Sequence, residues 1–181
     1  MKHKLAIASG LLGFAANAAF GVALFFLRIP QNLASWMMWT GLNGLVFFTM
    51  RAAGNKRAWL PFGYTLSSCL VTIALIRNGA WHWGMWESAS VVGVIITLLV
   101  WRKIDVRYAV IMATLASSMA GIPAVRDAWL HPNPASWWLW STCSFAALIG
   151  AIGAEKWSVK DRFYPIGSFL FNALMFILVI R

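Results

Sequence analysis

Ala34-Ser35-Trp36-Met37-Met38-Trp39 returns, 101 positions later, as Ala135-Ser136-Trp137-Trp138-Leu139-Trp140. A second echo follows each copy. Pro61, Gly63, Leu66, Leu70, Ile73, Ile76 and Arg77 are matched by Pro165, Gly167, Leu170, Leu174, Ile177, Ile180 and Arg181 at an offset of 104. The offsets agree if the second copy carries three more residues in the intervening loop. A duplicated unit of about 75 residues is expected, and self-similarity of this kind governs any reading of the architecture.

The composition says where such a unit would fold. The chain is 61% hydrophobic and 11% charged, with a mean hydropathy of +0.72. A soluble domain is nearer one-half apolar and one-quarter charged. Apolar runs fall at about 5–27, 35–50, 60–76, 84–101, 107–128, 135–154 and 163–180. Each approaches the roughly 17–25 residues that a spanning helix needs. The expected fold is therefore an all-α integral membrane protein with seven transmembrane helices. Pro61 and Pro165 open the third and seventh runs, where a missing N–H is harmless. Pro123 lies within the fifth and is expected to kink it. Met1-Lys2-His3-Lys4, with the apolar stretch after it, has the form of a signal peptide, and Ala16-Asn17-Ala18 could be its cleavage site. The apolar run continues to Leu27, however, and the repeat needs this segment as the partner of the fifth run, so it is expected to be retained.

The net charge of +10 does not point to nucleic acid, because the basic residues sit in short clusters between apolar runs. They orient the chain instead. Lys2, Lys4, Arg51, Lys56, Arg57, Arg102, Lys103, Arg107, Lys156, Lys160 and Arg162 share one side, and Arg28, Arg77, Arg126 and Arg181 the other. This places the N-terminus in the cytoplasm and the C-terminus outside, in a bacterial-type inner (plasma) membrane. Residues 1–80 then form a first triple-helix bundle, 81–104 a linker transmembrane helix and 105–181 a second bundle, all in one membrane domain. The linker restores the orientation of the second unit, so the repeats are parallel, related by an axis along the membrane normal. Repeats of this kind mark transporters, in which two bundles rock about a central site. Cys69 and Cys143 fall inside apolar runs, where a buried thiol is the ordinary expectation.

Ile122-Pro123-Ala124-Val125-Arg126-Asp127 leads through Asn133-Pro134 to Ala135-Ser136-Trp137-Trp138. This resembles the PQ-loop superfamily of SWEET and SemiSWEET sugar transporters and Pnu vitamin transporters. There, Leu-Pro-Gln ends the first helix of a bundle and a Ser-x-Trp-type stretch starts the second. Ala124 stands where the family has Gln, and Val22 where Pro123 would repeat in the first half. The resemblance implies a 3+1+3 arrangement of helices. It also implies a substrate contact at Asn172, with Ser68 as its partner. The expected cytoplasmic N-terminus is opposite to that of SWEETs and closer to Pnu proteins.

Uncharged polar residues recur at helix centres: Asn17 with Ser118, Asn43 with Ser144, and Ser68 with Asn172. Each equivalent pair holds one Asn and one Ser. An amide at that depth must face protein or a water-filled cavity. These six residues, with Trp39 and Trp140 one turn away, are the expected substrate-binding set. The same residues would serve as glue between helices if the axis were closed. Trp36, Trp59, Trp81, Trp83, Trp101, Trp129, Trp137 and Trp157 read as an interfacial belt. Glu87 is a candidate coupling group, though a first-turn residue favoured by the helix dipole is the simpler reading. Asp127 reads as the interfacial partner of Arg126. No catalytic, metal or cofactor constellation is visible, so an enzyme is not expected. The expected function is facilitated diffusion of an uncharged sugar-, nucleoside- or vitamin-like solute by alternating access. The alternative is a non-transporting scaffold or accessory subunit with a dry axis. The expected partners are the lipid bilayer and a small solute, with a homo-oligomer also open.

Overall fold

The structure, a computed structural model, describes residues 1–101 and 106–181. Arg102 and Lys103, and the expected boundary between 104 and 105, lie outside the described residues, as do the side chains of Trp101, Arg107 and Lys160. The helices are α1 (Lys2–Phe26), α2 (Leu33–Ala52), α3 (Trp59–Arg77), α4 (Met85–Trp101), α5 (Val106–Ala120), α6 (Ile122–Leu130), α7 (Trp137–Gly153) and α8 (Val159–Ile180). No strand occurs among the described residues. Five stretches are long and apolar enough to cross a membrane: Lys2–Phe26, Trp59–Arg77, Tyr108–Leu130, Pro134–Gly153 and Asp161–Ile180. Met85–Val100 is a shorter apolar helix.

Local chemistry sets the helix ends. Asn32 caps α2, its Oδ1 accepting from Ser35 N at 3.0 Å, which satisfies a first-turn donor. Glu87 closes the start of α4 by accepting from Gly84 N at 2.9 Å, the backward reach of a capping box. Gly54 (φ 85°) and Gly79 (φ 67°) end α2 and α3 in the left-handed region. Ala80 N then donates to Leu75 O and Asn55 N to Met50 O, the closing bonds of a Schellman turn.

Pro123 does more than kink the fifth run. The helix breaks at Gly121, and Pro123 sits in the first turn of α6, because its ring cannot follow an unbroken helix. Pro165 does not open the last helix as expected. It lies inside α8, which begins at Val159. The polar start Val159-Lys160-Asp161-Arg162 hides that extra turn from a reading by hydrophobicity alone.

α3 lies between α1 and α2, and α8 lies between α7 and α5. The two groups meet where α1 packs on α7 and α2 on α5, while α4 lies against α5. Small residues permit the closest crossings. A Cβ at Gly63 would stand 2.3 Å from Gly10 O, and one at Gly153 2.7 Å from Ala6 N. At both places helix backbones touch without intervening side chains.

Candidate functional site

Mid-depth segments of α1, α2, α3, α5, α7 and α8 converge on a central cavity of about 70 Å³. Its wall includes Asn17, Asn43, Ser68, Ser118 and Asn172, with Trp39 and Trp140 beside them. All the expected substrate-binding residues line it except Ser144. The Ser144 hydroxyl instead donates to Phe169 O at 3.4 Å, because one position along α7 turns Cys143 to the cavity. No charged side chain lines the cavity among the described residues.

Aromatic rings close the cavity toward the end of the molecule that carries Asn32. Trp39 packs edge-on to Trp36 (centroids 5.3 Å apart) and to Phe171 (5.4 Å). Trp140 completes the cluster at 6.3 Å from Trp39. Edge-to-face contacts at these distances add to the stabilisation from burial. Beyond the cluster lies a vestibule of about 450 Å³ whose wall includes Asn32, His82, Arg126, Asp127 and His131. Trp140 lines both spaces. The belt reading of Trp36 is therefore corrected: it is only 2% exposed, in the middle of the roof. Trp59, Trp81, Trp83, Trp129, Trp137 and Trp157 are exposed. Position near a run end separates these two fates poorly, since a tryptophan one turn inside a helix points either outward or inward.

The two candidate tryptophans differ in their hydrogen bonds. Trp39 Nε1 donates to Ser117 O at 2.9 Å. Trp140 Nε1 is buried and without a partner, as is Ser117 Oγ. A buried orphaned donor costs roughly 1–3 kcal/mol.

The amides differ too. Asn43 Oδ1 accepts from Tyr164 OH at 2.8 Å. Asn17 Oδ1 accepts a long contact from Cys143 Sγ at 3.7 Å. Asn172 turns its Nδ2 back to Ser168 O at 2.7 Å and Ser168 Oγ at 3.2 Å. Ser118 Oγ donates to Thr114 O at 3.1 Å, in its own helix. Among the described residues no hydrogen bond joins two of the six expected polar residues. Five of them share the cavity without forming a closed network.

The floor was not legible as a site. Tyr64 and Tyr164 line the cavity on the Asn55 side, and Tyr64 OH donates to Cys143 O at 3.0 Å. Tyr164 also lines a small lower pocket of about 10 Å³ with Asn55 and Asp161. Asn55 Nδ2 donates to Asp161 Oδ1 at 2.8 Å, joining the α2–α3 loop to the first turn of α8. The available signal was two tyrosines, each one turn on the polar-loop side of a helix-centre serine, at Ser68 and Ser168.

Glu87 does not line the central cavity. It is buried at the start of α4, on the Asn32 side, where Asn32 Nδ2 donates to its Oε1 at 2.9 Å and to Asp127 Oδ2 at 2.8 Å. Arg126 stands 3.7 Å from Asp127, the ion pair expected from the sequence. No group of three or more His, Cys, Asp or Glu residues fit to hold a metal occurs among the described residues. Comparison with protein-family models, with curated proteins and with solved structures returns no match.

Proposed function

We propose that the protein is a membrane carrier for a small uncharged solute. The solute is sugar-, nucleoside- or vitamin-like and crosses by facilitated diffusion with alternating access. One observation carries the reading: an uncharged cavity rich in amides and hydroxyls lies where helices from both halves of the chain converge. A lining without charge favours a neutral solute, since a bare ion there would lose its hydration without a counter-charge. The rings of Trp39 and Trp140 in the cavity wall suit a planar or sugar ring.

The packing supports the repeat reading. In residues 1–80 the third helix lies between the first two, and in 105–181 α8 takes the same place between α5 and α7. With α4 as the linker helix, this is the arrangement expected for two parallel repeats and implied by the resemblance to the PQ-loop superfamily. The distribution of basic residues supports a cytoplasmic N-terminus in a bacterial-type inner membrane.

The volumes fit a carrier closed around its site. Small-molecule pockets run to roughly 300–1,000 Å³, and the central cavity, at about 70 Å³, is well below that. The vestibule, at about 450 Å³, is within it. A solute would enter the vestibule and part the aromatic roof to reach the amides. Purified protein in liposomes should take up at least one labelled sugar, nucleoside or vitamin above protein-free liposomes. The double variant Asn43→Ala/Asn172→Ala should lose that uptake. Undiminished uptake by the double variant would refute the site, and no uptake of any probe by folded protein would refute the carrier.

A further inference from the structure

The geometry points to Tyr164 as a latch that ties the polar wall of the cavity to closure of the Asn55 end. The inference rests on the carrier reading for its purpose, but its structural basis is separate. Tyr164 is the residue common to the central cavity and the lower pocket. It is 3% exposed. Its hydroxyl reaches across from α8 to Asn43 on α2 at 2.8 Å. One turn earlier on α8, Asp161 accepts from Asn55 at 2.8 Å. Two bonds thus hold one stretch of α8 to α2 and its following loop, both on the Asn55 side.

The Asn32 end is built differently. There the cavity is capped by ring contacts and by the bond of Trp39 Nε1 to Ser117 O, and the wider vestibule lies beyond. Ring contacts are weakly directional and reform after a rotamer change. A buried hydroxyl–amide bond has one geometry and leaves two unsatisfied groups when it opens. Directional bonds tie the Asn32 end too, from Asn32 to Glu87 and Asp127, but only at the Asn55 end does such a bond engage an amide of the cavity wall: Asn43 belongs both to the wall facing the solute and to the fastening.

Cys143 is a natural reporter. It lines the central cavity and is 2% exposed. With Cys69→Ala it becomes the sole thiol, since the chain has two cysteines. Sealed membrane vesicles of either orientation would be treated with a charged, membrane-impermeant methanethiosulfonate. Tyr164→Phe keeps the ring and removes the hydroxyl. It should speed Cys143 labelling from the Asn55 face by about two- to tenfold, the population shift that one net hydrogen bond supports. Labelling from the Asn32 face should not change. Asn43→Ala should give the same one-sided shift, and the double variant should add nothing to it, because both remove one bond. Unchanged labelling, equal acceleration from both faces, or additive effects would overturn the latch. Intact solute uptake with unchanged labelling defeats the latch and spares the carrier. One-sided labelling without uptake of any probe does the reverse.

Discussion

Replacing Gly63 by alanine tests whether the α1–α3 crossing is held by backbone contact. A Cβ at Gly63 would lie 2.3 Å from Gly10 O and 3.1 Å from Gly10 C. Ordinary contact begins near 3.4 Å, so the crowding is about 1 Å, and it falls on the backbone of a helix that cannot rotate away. The helices must separate locally. A gap of 0.5–1 Å forfeits about a quarter to a half of each dispersion contact across it, and overpacking of this kind costs roughly 1–3 kcal/mol. Gly41 is the control: it is helical, and a Cβ there meets nothing within 4 Å. Alanine at that position should gain up to about 1 kcal/mol of helix propensity. The same gain is available at Gly63, so the two variants should differ by the cost of separation, about 1–3 kcal/mol. Unfolding in detergent, followed by the fluorescence of the 12 tryptophans, measures both. Equal stabilities of Gly63→Ala and Gly41→Ala would refute the backbone-contact reading.

Asn55→Ala should destabilise the fold by about 1.5–3 kcal/mol, the usual worth of a hydrogen bond to a charged group, because it removes the amide that reaches the buried Asp161. Chemical unfolding checks this, and a loss below about 0.5 kcal/mol would show that Ser158 and solvent suffice for the carboxylate. Trp39→Phe and Trp140→Phe remove similar ring volume but only one made bond, that of Trp39 to Ser117 O. Trp39→Phe should therefore cost about 0.5–1.5 kcal/mol more stability than Trp140→Phe. Equal or reversed losses on chemical unfolding would show that the Trp39 bond contributes nothing.

Periodicity made much of this molecule legible from its sequence. The apolar runs placed the helices, and the depth of Asn17, Asn43, Ser68, Ser118 and Asn172 placed them around one cavity. Burial depth along a helix is a one-dimensional quantity, and the chain states it directly. Rotation about the helix axis is not stated in the same way. Ser144 lies off the cavity wall and Cys143 takes the inward position, a difference of one residue and about 100° of helix turn. Trp36 was missed for the same reason, since a tryptophan near a helix start suits either the interface or a buried roof. The tyrosine floor escaped because its evidence is pairwise: Tyr164 with Asn43, and Asp161 with Asn55, lie more than 100 positions apart.

Gly63 and Gly167 hold matching places in the sequence echo, yet they meet different surroundings. A Cβ at Gly63 strikes the Gly10 backbone, whereas one at Gly167 meets only the Thr114 methyl, at 3.2 Å. Gly167 lines the central cavity and Gly63 does not. The first α1–α3 crossing is therefore closed by backbone contact, while the matching space between α5 and α8 is left partly open and lined by Thr114, Gly167 and Ser168. The polar residues follow the same division. Asn43 spends its carbonyl on Tyr164 across the two halves, and Asn172 spends its amide hydrogens within α8. One amide thus keeps Nδ2 for a cavity occupant and the other keeps Oδ1. An amide hydrogen offered from α2 and an amide oxygen offered from α8 suit an occupant that bears both an acceptor and a donor.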